Sequence, residues 1–264
     1  MLIEMGLTPV WHLRRADFQA EAEAEIASEV AVEPPAAHRS TIAPYAPPVS
    51  GDPSSATGHS PPLSDERRVT IMRMDWKALK ETVAGCRDCA LHARRNKTVF
   101  GVGDENADWM FVGEGPGADE DAQGEPFVGQ AGKLLDNMLA AIDLERGSDV
   151  YICNVVKCRP PGNRNPEPDE ALKCEPYLQR QIELVKPKLI VALGRVAALN
   201  LLSRDASIAS LRGKVLEYKG TPLIVTYHPA YLLRSLQDKA KAWEDLCFAV
   251  KTMAALRSAE TAPI

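Results

Sequence analysis

The chain has 264 residues, 45% hydrophobic and 25% charged, the balance of a water-soluble globular protein. No apolar run reaches the ~20 residues that cross a bilayer, and Met1 to Arg15 lacks the basic, apolar and small-residue succession of a secretory signal, so a cytoplasmic protein of one or two domains is expected. The net charge of −5 lies in residues 1–72, which carry 5 Arg and 10 acidic residues; the 26 basic and 26 acidic residues beyond give no general sign of a nucleic-acid surface and exclude no local one.

Residues 1–72 form a separate regime. Glu21 to Val32 is rich in Glu and Ala, and Pro34 to Pro62 in Pro, Ser, Ala and Thr, with almost no large apolar residues. Such a segment cannot bury enough surface to offset its ordering entropy, so a disordered acidic tail is expected. The functional alternative is a partner-binding tail anchored by Trp11, Leu13 and Phe18.

From Asp75 the pattern alternates. Asp75 caps a predicted helix that carries Trp76, Leu79 and Val83 on one face. Trp109–Val112 reads as a buried strand, and Leu134, Leu135, Met138, Leu139 and Ile142 have helical spacing within 130–142. Val150–Val156 is strand-like, and a helix over Asp169–Val185 is entered through Pro166 and Pro168. Leu189–Leu193 is a short strand ending at Gly194, followed by a helix over Val196–Leu202. Val215–Tyr218 and Leu223–Thr226 read as strands around Gly220, and Lys239–Leu256 as a closing helix. Strands alternating with helices imply an α/β domain with a mainly parallel sheet, whose ligands sit at the carboxyl ends of its strands. The expected organisation is a tail over 1–72, one domain over 73–258 and a short C-terminal tail over 259–264.

Six cysteines in such a chain read as thiols or metal ligands before disulfides. Cys86-Arg-Asp-Cys89 is a CxxC, Cys158 follows a strand, and Cys174 lies in the next helix with fifteen residues between it and Cys158. Four thiolates suit tetrahedral zinc or a cubane iron–sulfur cluster. The wide second spacing weakens a zinc ribbon, which joins two close pairs. Cys153 and Cys247 read as small buried core residues.

Four stretches at strand ends carry polar chemistry. Gly113-Glu-Gly-Pro-Gly117 is followed by Asp119, Glu120 and Asp121. It is not a phosphate loop: the spacing is not GxGxxG, Pro116 lacks an amide donor, and acids stand where positive charge would be needed. Close backbone approach to a neutral flat ligand fits better; a tight turn with solvated acids is the plainer reading. In Pro126-Phe-Val-Gly129, Phe127 is either a core residue or a stacking platform for a base. Asn154 ends a strand, and its amide can read one edge of a nucleobase or simply form a turn. In His228-Pro-Ala-Tyr-Leu-Leu-Arg234, the His can stabilise developing negative charge, and Leu232, Leu233 and Arg234 combine apolar and basic groups as a duplex-entering wedge requires. Its plain reading is a helix start.

Together, over residues 75–257, these stretches resemble one family, the family-4 iron–sulfur uracil-DNA glycosylases. The matching segments are the CxxC at Cys86 and Cys89, GEGPGADED at 113–121, PFVG at 126–129, YICNVVKCRPPGNRNP at 151–166, Cys174, LIVALG at 189–194 and HPAYLLR at 228–234. The resemblance implies a three-layer fold with a central, mainly parallel sheet flanked by helices. It implies a monomeric hydrolase that flips uracil from single- or double-stranded DNA and cuts its bond to deoxyribose, initiating base excision repair.

By position, the resemblance gives Cys86, Cys89, Cys158 and Cys174 a [4Fe–4S] cluster that braces DNA-facing loops. The backbone of Glu114, Gly115, Pro116 and Gly117 would line the uracil pocket, Phe127 would stack on the base, and Asn154 would bond its edge. His228 would face the carbonyl that gains charge, Glu120 would orient water or stabilise the sugar cation, and Leu232, Leu233 and Arg234 would contact DNA. Ala118 departs from relatives that carry an acid there, and the stretch 155–173 lacks the His by which a related branch traps DNA covalently. Lys157 adjoins a cysteine, so simple hydrolysis without a Schiff base is expected. Two rival readings are a non-catalytic metal-bearing DNA-binding module, which has no need of Glu120, Asn154 and His228, and a nucleotide-binding enzyme using the GEGPG loop.

Overall fold

The structure, a computed structural model, describes residues 65–261. The expected tail residues 1–64, with Trp11, Leu13 and Phe18, lie outside that range. The helices are α1 (Asp65–Met72), α2 (Trp76–Gly85), α3 (Ala118–Gln123), α4 (Gln130–Ala140), α5 (Pro168–Val185), α6 (Arg195–Leu202), α7 (Ile208–Leu211), α8 (Pro229–Leu232) and α9 (Lys239–Thr261). The strands are β1 (Val102–Gly103), β2 (Trp109–Gly113), β3 (Val150–Asn154), β4 (Leu189–Leu193), β5 (Leu216–Tyr218) and β6 (Thr221–Thr226).

The six strands form one sheet in the order β1-β3-β2-β4-β6-β5. The four central strands are parallel, and the short edge strands β1 and β5 pair antiparallel to β3 and β6. Every residue of β2, β3 and β4 is buried, as expected of strands covered on both faces. Alternation divides them between two layers. Met110, Val112, Ile190 and Ala192 face a cluster with Leu79, Leu178 and Ile182 from α2 and α5. Trp109, Phe111, Leu189 and Val191 face Leu135, Leu139, Ala249 and Met253 from α4 and α9. The result is the expected three-layer α/β arrangement.

The chain runs from β2 to β3 on one side and then crosses to β4 on the other. A crevice therefore opens at the carboxyl end of β2, where ligands bind in such sheets. Gly113 and Asn154 stand there in register, one on each strand.

Both expected boundaries shift. Residues 65–72 are helical instead of tail: α1 packs Ile71, 2% exposed, into the core, and Arg68 pairs with Glu175 and Gln179 of α5. Composition misled here because 65–72 is mostly polar and supplies one anchor residue to a face that α5 already provides. At the other end, α9 runs to Thr261, beyond the expected limit of 258. Cys153 is fully buried as expected, whereas Cys247 is only partly covered.

Candidate active site and cysteine centre

The carboxyl ends of β2, β3 and β6 surround a cavity of about 420 Å³. Its walls include Glu114, Gly115, Pro116, Gly117, Glu120, Phe127, Asn154, His228 and Arg234, so residues from all four strand-end stretches converge. Gly113 makes the convergence possible: a Cβ there would stand 2.5 Å from both Asn154 Oδ1 and Phe127 Cζ.

Phe127 has a left-handed backbone, with φ 56°, which costs strain in a bulky residue. Two features hold it. Gly132 of α4 leaves room for its carbonyl, which a Cβ would meet at 1.7 Å. Arg146 donates to the carbonyls of Pro126 and Phe127 at 2.9 and 2.8 Å. The ring lies 5.6 Å from that of His228, is 5% exposed and lines the cavity.

Asn154 is 2% exposed and lines the cavity, and its buried Oδ1 has no hydrogen-bond partner among the described residues. An unpaired buried acceptor is costly, and one at a cavity wall suits a ligand donor. His228 caps α8: its Nδ1 accepts from the Ala230 amide at 3.1 Å. That bond places the ring proton on Nε2, leaving an N–H donor. Desolvation, aided by Arg234 and opposed by Glu120, lowers its pKa to about 4, so the ring is neutral at pH 7.

Glu120, expected to orient water or stabilise the sugar cation, is hydrogen-bonded through both carboxylate oxygens. Its Oε2 accepts from the Gly117 amide at 3.0 Å, and its Oε1 from those of Val128 and Gly129 at 3.0 and 3.1 Å. The carboxylate clamps the GEGPG turn to the PFVG turn and caps the start of α3 by accepting the Gly117 N–H. These bonds suit a residue that positions the two turns. The pocket carboxylate without such bonds is Glu114, whose pKa burial raises. Sequence reasoning named only the backbone of Glu114. The three-residue step from Gly117 to Glu120 at a helix start was the available sign of a cap. Asp121 is structural as well, accepting from the backbone and side-chain amides of Asn96 at 2.9 and 2.6 Å.

The expected wedge divides. Leu232 is fully buried against Leu134, Met138 and Leu246 and is a core residue: one turn of helix cannot present consecutive leucines to one side. Leu233, 42% exposed, and the exposed Arg234 face outward. Sequence reasoning also missed the rim loop. Arg164 binds Glu170 through two bonds of 2.8 and 2.7 Å, which fixes the stretch carrying Asn163 and Asn165 at the cavity edge.

Cys86, Cys89, Cys158 and Cys174 line one small pocket between α2 and α5, with Lys157, Arg95 and Tyr177. Arg95 donates to Cys158 Sγ at 3.1 Å and the Lys157 amide to Cys174 Sγ at 3.3 Å, contacts that favour sulfur as thiolate. Burial otherwise pushes the Cys158 and Cys174 thiols up to about 11 and about 12, so they need a bound cation to ionise. Among the described residues, no three His, Cys, Asp or Glu side chains converge as a single ion requires.

Residues 100–247 match the family model described as the uracil DNA glycosylase superfamily. The chain belongs to that superfamily. Several of its members are similar over most of their length. The type-4 uracil-DNA glycosylase of Archaeoglobus fulgidus is 52% identical over 159 residues, 57% of this chain and 79% of that protein. Those of Thermotoga maritima and Pyrobaculum aerophilum are 44% and 43% identical, over 62% and 66% of this chain and 85% and 92% of theirs. Superfamily membership agrees with the sheet and the strand-end cavity. Among the described residues, no helix is long and apolar enough to cross a membrane.

Proposed function

We propose that this chain is a uracil-DNA glycosylase that hydrolyses the N-glycosidic bond of deoxyuridine in DNA, releasing uracil and leaving an abasic site. The observation that carries the reading is the pairing of Asn154 and His228 across one cavity. The unpartnered Asn154 Oδ1 can accept from uracil N3–H while its NH₂ donates to O4. The neutral His228 can donate from Nε2 to O2, where negative charge grows as the bond breaks. Phe127 supplies an apolar wall for the base, which must leave the helical stack to reach it. Type-4 relatives that match over most of their own length support the same substrate.

Bond breaking also creates cation character on the sugar. Glu114, whose carboxylate has no hydrogen bond among the described residues, is the one suited to balance it or orient water, while Glu120 holds the loop that carries it. Among the described residues no lysine lines the cavity, which favours direct hydrolysis over a Schiff base. Cys86, Cys89, Cys158 and Cys174 would hold a [4Fe–4S] cluster, which would supply a structural brace between α2, α5 and the 158–165 loop. The purified chain incubated with a uracil-containing oligonucleotide and then with alkali should give strand cleavage at uracil. Absence of cleavage with the folded, iron-loaded protein would overturn the proposal.

A further inference from the structure

Beside the uracil cavity lies a second pocket of about 330 Å³ that the mechanism above does not use. It shares Glu114, Asn165, His228 and Tyr231 with the first, and its remaining walls include Val196, Ile208 and Tyr227. Tyr227 and Tyr231 stack within it, with centroids 5.5 Å apart and planes 14° from parallel. The Arg212 guanidinium lies 5.3 Å from the Tyr227 ring centroid. The column is anchored at both ends. Arg212 donates to the buried Asp245 at 2.7 Å, and the Tyr231 hydroxyl to Asp238 at 2.6 Å. Tyr231 is nevertheless 40% exposed.

We propose that this pocket binds the nucleobase adjacent to uracil on the same strand, stacked in the tyrosine column. The proposal rests on the uracil reading and extends it. An occupant of the first cavity that belongs to a polynucleotide must continue through a shared wall, and the four common residues make this pocket a direct continuation. The lining is largely apolar and aromatic, which suits a flat base of any identity. The Tyr231 ring, already fixed by its hydroxyl's bond to Asp238, loses little freedom when a base stacks on it. Stacking of this kind tolerates all four bases and contributes most where the neighbour is not held in a duplex, so single-stranded DNA gains more than double-stranded.

The test uses the full chain and single-stranded oligonucleotides with one uracil. The residue immediately 5′ or 3′ is either a nucleotide or tetrahydrofuran, which lacks a base. Loss of the base on one side should raise KM roughly tenfold, with kcat largely retained. Tyr231→Ala should raise KM for the unmodified strand by a similar factor and abolish the difference between flanks, while Tyr231→Phe should keep that difference. Ile208→Trp, which fills the pocket from its far wall, should also abolish it. Equal KM for both tetrahydrofuran strands and the unmodified strand, or a Tyr231→Ala effect that adds to the flank effect, overturns the subsite. Failure to release uracil from the unmodified strand overturns the glycosylase reading instead, so the two failures are distinguishable.

Discussion

Replacing Glu120 separates the two roles a carboxylate can have at this position. In the structure its two oxygens accept three backbone amides at 3.0–3.1 Å, joining the turns that carry Glu114 and Phe127. Hydrogen bonds to a charged group contribute about 1.5–3 kcal/mol each when buried. The cavity admits water to Glu120, so the loss of all three in Glu120→Ala is expected to cost about 3 kcal/mol. For a domain of this size that is roughly 6–12 °C in Tm. Glu120→Gln tests the point more finely. Its oxygen can keep the pair at Val128 and Gly129, but its NH₂ then faces the Gly117 N–H. One bond of three is lost and two donors oppose each other, for about 1–2 kcal/mol, or roughly 2–8 °C. The assay is thermal unfolding beside single-turnover uracil release as a function of pH. A clamp predicts a lower Tm, a modest rate loss and an unchanged pH profile. A general base predicts the reverse: a wild-type Tm, a rate loss of about 10²–10⁴ and a missing limb of the profile. The second pattern in Glu120→Gln would refute the positioning role.

His228 titrates near 4 in the folded chain and near 6.5 when unfolded, so between these values the unfolded state binds the extra proton. Its contribution is complete above pH 6.5 and is lost as pH falls towards 4, by about 3 kcal/mol at most. Denaturant titrations should show a shallower loss between pH 7 and 4 for His228→Ala, and equal slopes would refute the assignment; uracil release should also fall about 10²–10³-fold. Asn154→Asp replaces the donor to uracil O4 by an acceptor; uracil release should drop roughly 10–100-fold and weak removal of cytosine, whose N4 amine gains a partner, should emerge in single-turnover assays. Cys86→Ala should lose visible absorption and about four irons per chain, while Cys247→Ala keeps both, as measured by iron analysis after anaerobic purification. A chain beginning at Asp65 should match the full chain in melting and activity, whereas one beginning at Met74 should lose about 2 kcal/mol through Ile71 and the Arg68 pair; equal melting of the two would show that α1 is dispensable.

Much of this protein is determined by local sequence. The apolar runs 109–112, 150–154 and 189–193 specify buried strands because such runs are stable only with both faces covered. Asp75 fixes the start of α2 by bonding the Ala78 amide, a contact within three residues. The strand-end placement of Gly113, Asn154 and His228 follows from the same alternation, and with it the position of the cavity. What local pattern does not contain is the direction of a side chain once the elements pack. Glu120 reads as a reactive acid until the PFVG turn arrives with two amides for it. Leu232 and Leu233 read alike until α4 and α9 cover the first and not the second. The left-handed turn of Phe127 depends on Arg146 and Gly132, nineteen and five residues away. The neutral state of His228 arises from desolvation by walls drawn from distant strands. Burial and hydrogen-bond partners are properties of the assembled surface, so the sequence names the groups at this site, and the tertiary structure assigns their work.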